Sequence, residues 1–225
     1  MANSRDALRS AIAVTIRFTP TPYRWPYRSY AVVAVNHDAH ASSVRRTLPP
    51  LAGYPRSMTM SSRPHPRDEI QVAVDRYHGL RRRIEGGLEP NGFGALADFY
   101  TDDAVYVDAS WGRLEGKEAI AHWLEHSMVG LGDWRFPVEF TAIEGNDVVV
   151  KWTQVIPGAR ADGSQFAQSA YSRLRYAGGG QFDYQEDTYN MVHVLEDIEA
   201  SGWMPTEPMN LPPRRPDRNW SPPRL

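Results

Sequence analysis

The chain has 225 residues, which suits one domain with flanking segments, and it contains no cysteine, so disulfides, thiolate nucleophiles and cysteine-ligated metals are excluded. Residues 1–66 hold nine arginines and two acidic residues, a net charge of +7, whereas the remainder holds 16 basic and 25 acidic residues, a net charge of −9. An acidic folded part argues against nucleic acid as a partner, and no apolar run approaches the roughly 20 residues of a membrane span.

The first 66 residues form a leader that differs from the rest of the chain. It is rich in Pro, Arg and Ser and lacks the pattern of a secretory signal, so we expect a cytoplasmic protein. The composition predicts that the leader is disordered or not normally translated, with Met58 or Met60 as the true start. A chain beginning at Met60 is therefore expected to melt at the temperature of the full chain.

Helical periodicity begins directly after the leader. Apolar residues recur at helical spacing over residues 67–85, and Gly86-Gly87 ends the pattern. A short second helix is predicted over residues 92–100. Alternating residues in "DDAVYVDAS" predict a strand, and "GKEAIAHWLEHSMVGL" predicts a third helix.

Four strand-like runs follow, separated by "EGND", "RADGS" and "AGGGQ", which are typical of hairpin turns. This order predicts an α+β domain over residues 67–203, in which helices cover one face of a curved antiparallel sheet. The Pro-rich residues 204–225 predict an extended or disordered C-terminal tail.

The runs "ALADFYTDDAVYVDASWGRLEGKEAIAHWLEHSM", "DVVVKWTQVIPG" and "YAGGGQFDYQEDTYN" carry a family resemblance. They resemble SnoaL-like members of the nuclear transport factor 2-like superfamily, over residues 67–203. The resemblance implies a cone-shaped fold in which three helices cover the sheet, a pocket for a small apolar molecule between them, and a homodimer. No cofactor is implied, and fold alone does not assign a reaction.

The stretch "FDYQEDTYN" holds the candidate proton-handling residues. Strand alternation places Glu186 and Asp187 on opposite faces, with Phe182 and Tyr184 on the side of Glu186. The family pattern favours Asp187 as the inward carboxylate, with Asn190 beside it as a second polar group. Burial on an apolar wall is expected to raise the pKa of Asp187 into a useful range. The structural alternative is that Asp187 accepts hydrogen bonds from the backbone or from Tyr106.

Asp108 is a second candidate, because it ends the first strand and precedes Trp111, a residue suited to a pocket rim. The resemblance implies that a carboxylate or Tyr in this region holds a ligand, whereas the alternative is a turn closed by the Asp side chain. Aromatic side chains are expected to line the pocket. The candidate ligand-binding residues are Tyr106, Trp111, Trp152 and Tyr171.

The resemblance implies two acid–base mechanisms for which this chain has candidate residues. An epoxide hydrolase needs two aspartates bridged by an Arg, for which Arg173 or Arg175 is available. An isomerase of the ketosteroid type needs a base and a Tyr that donates to the oxyanion, here Asp187 with Tyr106 or Tyr171. Neither spacing matches a defined motif.

The histidines favour neither a cyclase nor a metal site. SnoaL-type cyclases pair an acid with a His within the sheet, but the central strands contain no His, and His193 lies beyond the last strand. His122 and His126 are four residues apart on a helix but lack a third ligand in a known spacing. We therefore expect no metal.

Two functions remain open from the sequence. The first is cofactor-independent acid–base catalysis on a small apolar molecule, of the isomerase, cyclase, dehydratase or epoxide hydrolase type. The alternative is a ligand-binding or dimerisation module without catalysis.

Overall fold

A computed structural model describes residues 64–223. The leader, apart from its last three residues, lies outside this range, so the expectations for it stay predictions. The described part contains the predicted domain and nearly all of the C-terminal tail.

The helices follow the apolar periodicity of the sequence. Helix α1 spans Arg67–Glu85 and ends at Gly86, with acidic residues in its first turn and arginines in its last, which suits the helix dipole. A 3-10 helix, Gly92–Phe99, and α2, Lys117–Ser127, come next. A further helix, α3, Met191–Ser201, follows the sheet and adds to the three predicted helices.

The six strands form one sheet. They are β1 Tyr100–Asp108, β2 Gly112–Glu115, β3 Val138–Glu144, β4 Asp147–Ala159, β5 Gln165–Gly178 and β6 Gln181–Tyr189. Their order across the sheet is β2-β1-β6-β5-β4-β3. Strands β3 to β6 form the predicted antiparallel meander, and β2 is an addition to it.

The pairing of β1 with β6 is parallel, which corrects the expectation of a purely antiparallel sheet. The last strand of the meander returns beside β1 and runs in the same direction. Local patterns give no sign of this pairing, because it joins the two ends of the domain's sequence. The α+β class is confirmed, with a mixed sheet.

The helices cover one face of the sheet, which we call the inner face. The main core lies between this face and α1, the 3-10 helix and α2, while α3 packs against β4 and β5. Ile70, Val74 and Tyr77 of α1 and Ile120 of α2 are buried in this core. None of the helices in residues 64–223 has the length and apolarity that crossing a membrane requires.

The C-terminal tail, residues 204–223, contains no helix or strand, as expected for an extended segment, but it is held against the domain rather than disordered. The backbone N–H of Arg113 in β2 donates to the Asp217 carbonyl at 2.9 Å. The Tyr184 hydroxyl donates to the Trp220 carbonyl at 2.8 Å. Proline prevents regular structure here but not packing. Residues 217–223 of the tail thus lie on the outer face of the sheet, beside a small buried cluster of Val105, Val107 and Tyr184. Earlier in the tail, Met209 packs against the main core.

Candidate functional site

Polar side chains gather on the inner face where β1, β6 and β5 lie side by side. Tyr106 lies opposite Gln185 in the parallel pair, and Ser172 lies opposite Asp187 in the antiparallel pair. Because side chains two apart on a strand share a face, Asp108 joins the same group. We call these five residues the inner-face cluster.

A bulge in β6 sets which side chains face inward. Asp183 is an extra residue in the pairing of β6 with β5, so Phe182 and Tyr184 lie on opposite faces. Simple alternation places Phe182 with Tyr184 and Glu186, and this expectation is wrong for Phe182, which lies in the main core. Beyond the bulge alternation resumes, so Asp187 is buried on the inner face while Glu186 accepts a bond from Tyr184 on the outer side.

Asp187 is fully engaged in hydrogen bonds. Its Oδ2 accepts from the Tyr106 hydroxyl at 2.6 Å. Its Oδ1 accepts from the Ser172 hydroxyl at 2.6 Å and from Nε2 of Gln185 at 3.0 Å. The bond expected in the structural alternative, from Tyr106, is therefore present, and it coexists with the inward position of the carboxylate.

A second layer of hydrogen bonds holds these donors. Nε2 of Gln185 also donates to the Tyr106 hydroxyl at 2.8 Å, while its Oε1 accepts from the Tyr100 hydroxyl at 2.5 Å. Nε1 of Trp152 donates to the Ser172 hydroxyl at 2.9 Å. Burial, and then the charge of Asp187, raises the pKa of Tyr106 well above its usual value. Tyr106 thus stays a neutral hydroxyl donor.

The pKa of Asp108 moves into the range of acid–base catalysis. Burial, and then the charge of Asp187, raises its pKa to about 6, against the backbone N–H groups of Trp111 and Ser110, which lower it. Both N–H groups donate to Oδ1 at 2.8 Å, which is the turn expected as the structural alternative. The Tyr189 hydroxyl lies 3.0 Å from Oδ1 and 3.1 Å from Oδ2. Sequence reasoning considered Asp108 as a ligand-holding residue or a turn and did not single out its pKa.

Arg81 is a charged neighbour of the cluster that sequence reasoning missed. Its Nε donates to Glu85 at 3.0 Å, and its Cζ lies 5.1 Å from the Phe136 ring centroid and 5.3 Å from that of Trp152. Burial lowers the pKa of Arg81. The neighbouring acidic groups, Asp187 among them, raise this pKa by more than burial lowers it, so the net shift is upward. The sequence did contain a signal for Arg81. It lies four residues after Tyr77, and residues at this spacing share one side of a helix, here the apolar side of α1.

The cluster contains some of the predicted site residues and not others. Trp152 lies beside it, and Trp111 is half-buried next to Asp108. Tyr171 is 45% exposed on the outer face, because its neighbours in β5 point inward. Asn190 is exposed and caps α3, its side chain accepting from the N–H of Val192.

The two arginines considered for an epoxide hydrolase also lie away from the cluster. Arg173 donates to Asp147 at 3.0 Å, and Arg175 makes two bonds to Asp183 at 2.7 and 2.9 Å. Both alternate with inward residues of β5 and therefore face outward. The guanidinium that interacts electrostatically with Asp187 belongs to Arg81.

The histidines lie outside the cluster. His193 is exposed, and the His122 and His126 rings stack on the surface of α2 with centroids 3.8 Å apart. Residues 64–223 contain no group of three or more His, Asp or Glu side chains placed to hold a metal ion. The cluster presents carboxylates, hydroxyls and an amide, and the guanidinium of Arg81 is a charged neighbour.

Comparison with known proteins gives matches in both sequence and fold. The family model for the SnoaL-like domain matches residues 80–182, whereas no curated protein matches the chain. A candidate SnoaL-like polyketide cyclase from Jannaschia sp. CCS1 is 18% identical, with 59% of this chain and 93% of that chain covered and a TM-score of 0.46. A protein of ketosteroid isomerase-like fold from Catenulispora acidiphila DSM 44928, solved with trimethylamine, is 22% identical, with 61% and 98% covered and a TM-score of 0.42. The resemblance to the SnoaL-like family is confirmed: residues 80–182 of the chain form a SnoaL-like domain.

Proposed function

We propose that the inner face binds a small, largely apolar molecule and catalyses a proton transfer on it without a cofactor. The observation that carries this proposal is the pair of buried carboxylates, Asp108 and Asp187, which neighbouring strands hold on one face. Two carboxylates in one buried site disfavour each other's ionisation, which separates their roles.

In this proposal Asp108 takes and returns the proton. Its pKa of about 6 leaves a substantial fraction in each protonation state near neutral pH, which is the condition for an efficient general acid or base. Asp187 helps to raise the pKa of Asp108 and accepts the hydrogen bond that anchors the Tyr106 hydroxyl. Isomerisation, cyclisation, dehydration and epoxide opening, the reactions implied by the resemblance, all use such a group.

Aromatic side chains support an apolar ligand. Trp123 packs on Tyr106 with ring centroids 4.6 Å apart, and Phe136 packs on Trp152 at 6.0 Å. Such walls favour a flat apolar body and leave the few polar groups to fix its orientation.

The second candidate is a binding module without catalysis. The specific observation in its favour is that both oxygens of Asp187 already accept hydrogen bonds from protein donors. In that case the cluster is a structural network beneath the ligand.

Substitution of the two carboxylates tests the proposal. We expect a screen of apolar ketones and epoxides to give turnover that Asp108→Asn and Asp187→Asn each reduce by about 10²-fold or more. Glu186→Gln is the matched control, because it removes a carboxylate from the adjacent position of β6 on the other face. Turnover that survives Asp108→Asn, or a screen that yields bound compounds without turnover, supports the binding module instead.

A further inference from the structure

A row of three buried side chains crosses the inner face beyond the carboxylates. Gln154 of β4 lies opposite Gln168 of β5. Arg135 and Val155 exchange both backbone hydrogen bonds, so the next residue, Phe136, lies opposite Gln154. The side chains of the two glutamines are 6% and 5% exposed. Neither amide takes part in the proposed proton transfer.

Strand geometry places this row on the same face as the inner-face cluster. Gln168 and Ser172 are four residues apart on β5, in unbroken pairing with β4, so both side chains project from one face with Cα atoms about 13 Å apart. Between them lies Ala170, the smallest side chain on this face of β5, opposite Tyr189 of β6. The Tyr189 hydroxyl in turn lies 3.0 Å from Oδ1 of Asp108. A ligand that extends along β5 therefore has the glutamines at one end and the carboxylates at the other.

Asp197 of α3 fixes the orientation of the Gln168 amide. Nε2 of Gln168 donates to Oδ2 of Asp197 at 2.5 Å, and Arg160 donates to both oxygens of the same carboxylate, at 2.6 and 2.8 Å. A flipped amide would place its oxygen against that carboxylate, because a carboxylate only accepts. Oε1 of Gln168 therefore points away from Asp197, and it is a buried acceptor with no hydrogen bond in residues 64–223.

The Gln154 side chain is a second amide without a partner. It is buried and makes no side-chain hydrogen bond with the residues that the structure describes. A buried amide without partners destabilises the fold, and an apolar side chain of the same size avoids that cost. Both amides of the row are satisfied when another molecule supplies their partners.

The chemistry of the row selects the group that fits. Oε1 of Gln168 needs a donor, which a ketone or an ether lacks, and it repels a carboxylate. A cation gains little, because Asp197 is already paired with Arg160, and burying its charge is costly. A hydroxyl both donates and accepts without a charge, so it satisfies Gln168 and Gln154 together.

We propose that Gln154 and Gln168 form a subsite that binds a neutral hydroxyl group, at the end of the ligand remote from the carboxylates. This inference rests on the proposed function and names a polar group of its ligand. The hydroxyl donates to Oε1 of Gln168 and accepts from Nε2 of Gln154. This contact determines which end of the apolar body reaches Asp108, so the two glutamines set specificity and take no part in bond making.

Binding of two bicyclic compounds to the full chain, measured by isothermal titration calorimetry, tests the subsite. The hydroxyl of 2-naphthol donates and accepts, whereas the ether of 2-methoxynaphthalene only accepts. We expect the wild-type chain to bind 2-naphthol about tenfold more tightly. Gln168→Met, which keeps the length of the side chain but removes the acceptor, should abolish this preference. Gln165→Met is the matched control, since it makes the same substitution at an exposed position on the outer face of β5, and it should keep the preference.

Gln154→Met separates a binding role from a structural one. Because it replaces an unpaired buried amide by an apolar side chain of similar size, the melting temperature should rise by about 2 to 4 °C while the preference for 2-naphthol falls. The rise also shows that the variant is folded, so the weaker preference does not come from unfolding. A lower melting temperature contradicts the proposal, because it shows that the amide supports the fold.

The remaining outcomes distinguish the subsite from the proposed function. A preference for 2-naphthol that survives both Gln154→Met and Gln168→Met assigns the two amides to a bound water and overturns the subsite. Equal binding of the two compounds by the wild type, or no binding, overturns it as well. None of these measurements depends on turnover. A preference that requires the glutamines, in a chain that turns over no ketone or epoxide, therefore supports the subsite and overturns only the catalytic role.

Discussion

At the scale of single residues, buried titratable groups couple the fold to pH. His78 of α1 is buried, and neither ring nitrogen has a partner in the described residues. Burial, and then the charges of Arg81 and Arg82, lowers its pKa to about 4. Between pH 6.5 and 4 the unfolded chain binds a proton that the folded chain refuses, so the free energy of unfolding falls as the pH is lowered.

We expect His78→Leu to remove this contribution, which amounts to about 2 kcal/mol between pH 7 and pH 5. Urea unfolding at the two pH values measures it. Asp108 acts in the opposite sense, because its raised pKa favours the folded state at low pH, so the difference between wild type and variant isolates His78. His193→Gln, at an exposed position, should keep the wild-type difference, and an unchanged difference in His78→Leu contradicts the assignment.

The coupling of the two carboxylates gives another residue-scale prediction. Because the charge of Asp187 helps to raise the pKa of Asp108, Asp187→Asn should lower that pKa below about 6. A carboxyl ¹³C NMR titration measures the change. Glu186→Gln should leave the Asp108 titration in place. An equal effect of the two substitutions shows that the charges do not interact across the inner face as we infer.

At the scale of elements, the tail depends on a close approach to Gly112. A Cβ atom there would lie 2.5 Å from the Asp217 carbonyl oxygen, and the residue has a φ of +83°. Gly179 also has a positive φ, +62°, but a Cβ there meets no atom within 4 Å. Substitution strains the backbone at both glycines, because both have a positive φ. Only at Gly112 does the added Cβ atom also collide with neighbouring atoms.

We therefore expect Gly112→Ala to destabilise the domain more than Gly179→Ala, by about 1 to 3 kcal/mol. In a chain that ends at Met204 the extra cost should disappear, because the tail is gone. The free energy of unfolding of this shortened chain should itself be lower by about 2 kcal/mol or more, because the cluster around Tyr184 becomes exposed. Thermal or urea unfolding of the four combinations gives the coupling energy. Equal costs for the two glycine substitutions exclude a packed tail.

At the scale of the whole molecule, the outer face of the meander exposes apolar side chains. Phe140 is 51% exposed, Tyr171 45% and Val149 37%, on three neighbouring strands. Such a patch favours an interface, and the family resemblance makes a second copy of the chain the proposed partner.

Sedimentation at micromolar concentration should give about twice the chain mass. Phe140→Lys should shift the species to the mass of one chain, since it places a charge in the patch. Val72→Lys, at an exposed apolar position of α1, is the control and should leave the mass unchanged. A single-chain mass for the wild type throughout this range rules out the homodimer.

Local sequence patterns predict much of the fold but less of the candidate site. Residues 67–85 carry a helical period that needs no partner to recognise, and the Gly-rich separators mark the hairpins wherever the strands lie. The opposite faces of Glu186 and Asp187 follow from strand geometry alone. The sequence placed Asn190 and Tyr171 in the candidate site. Asn190 instead caps α3, which depends on where β6 ends, and Tyr171 lies on the outer face, which depends on the orientation of β5.

The sequence by itself determined the α+β class, the order of its main elements and the candidate carboxylates, because these depend on residue type and short-range spacing. Only the tertiary structure decided that β1 runs parallel to β6, that burial raises the pKa of Asp108 and that the Arg81 guanidinium interacts with Asp187. Each of these depends on contacts between residues far apart in the chain and on the burial those contacts produce, and burial and distance determine the strength of charge interactions.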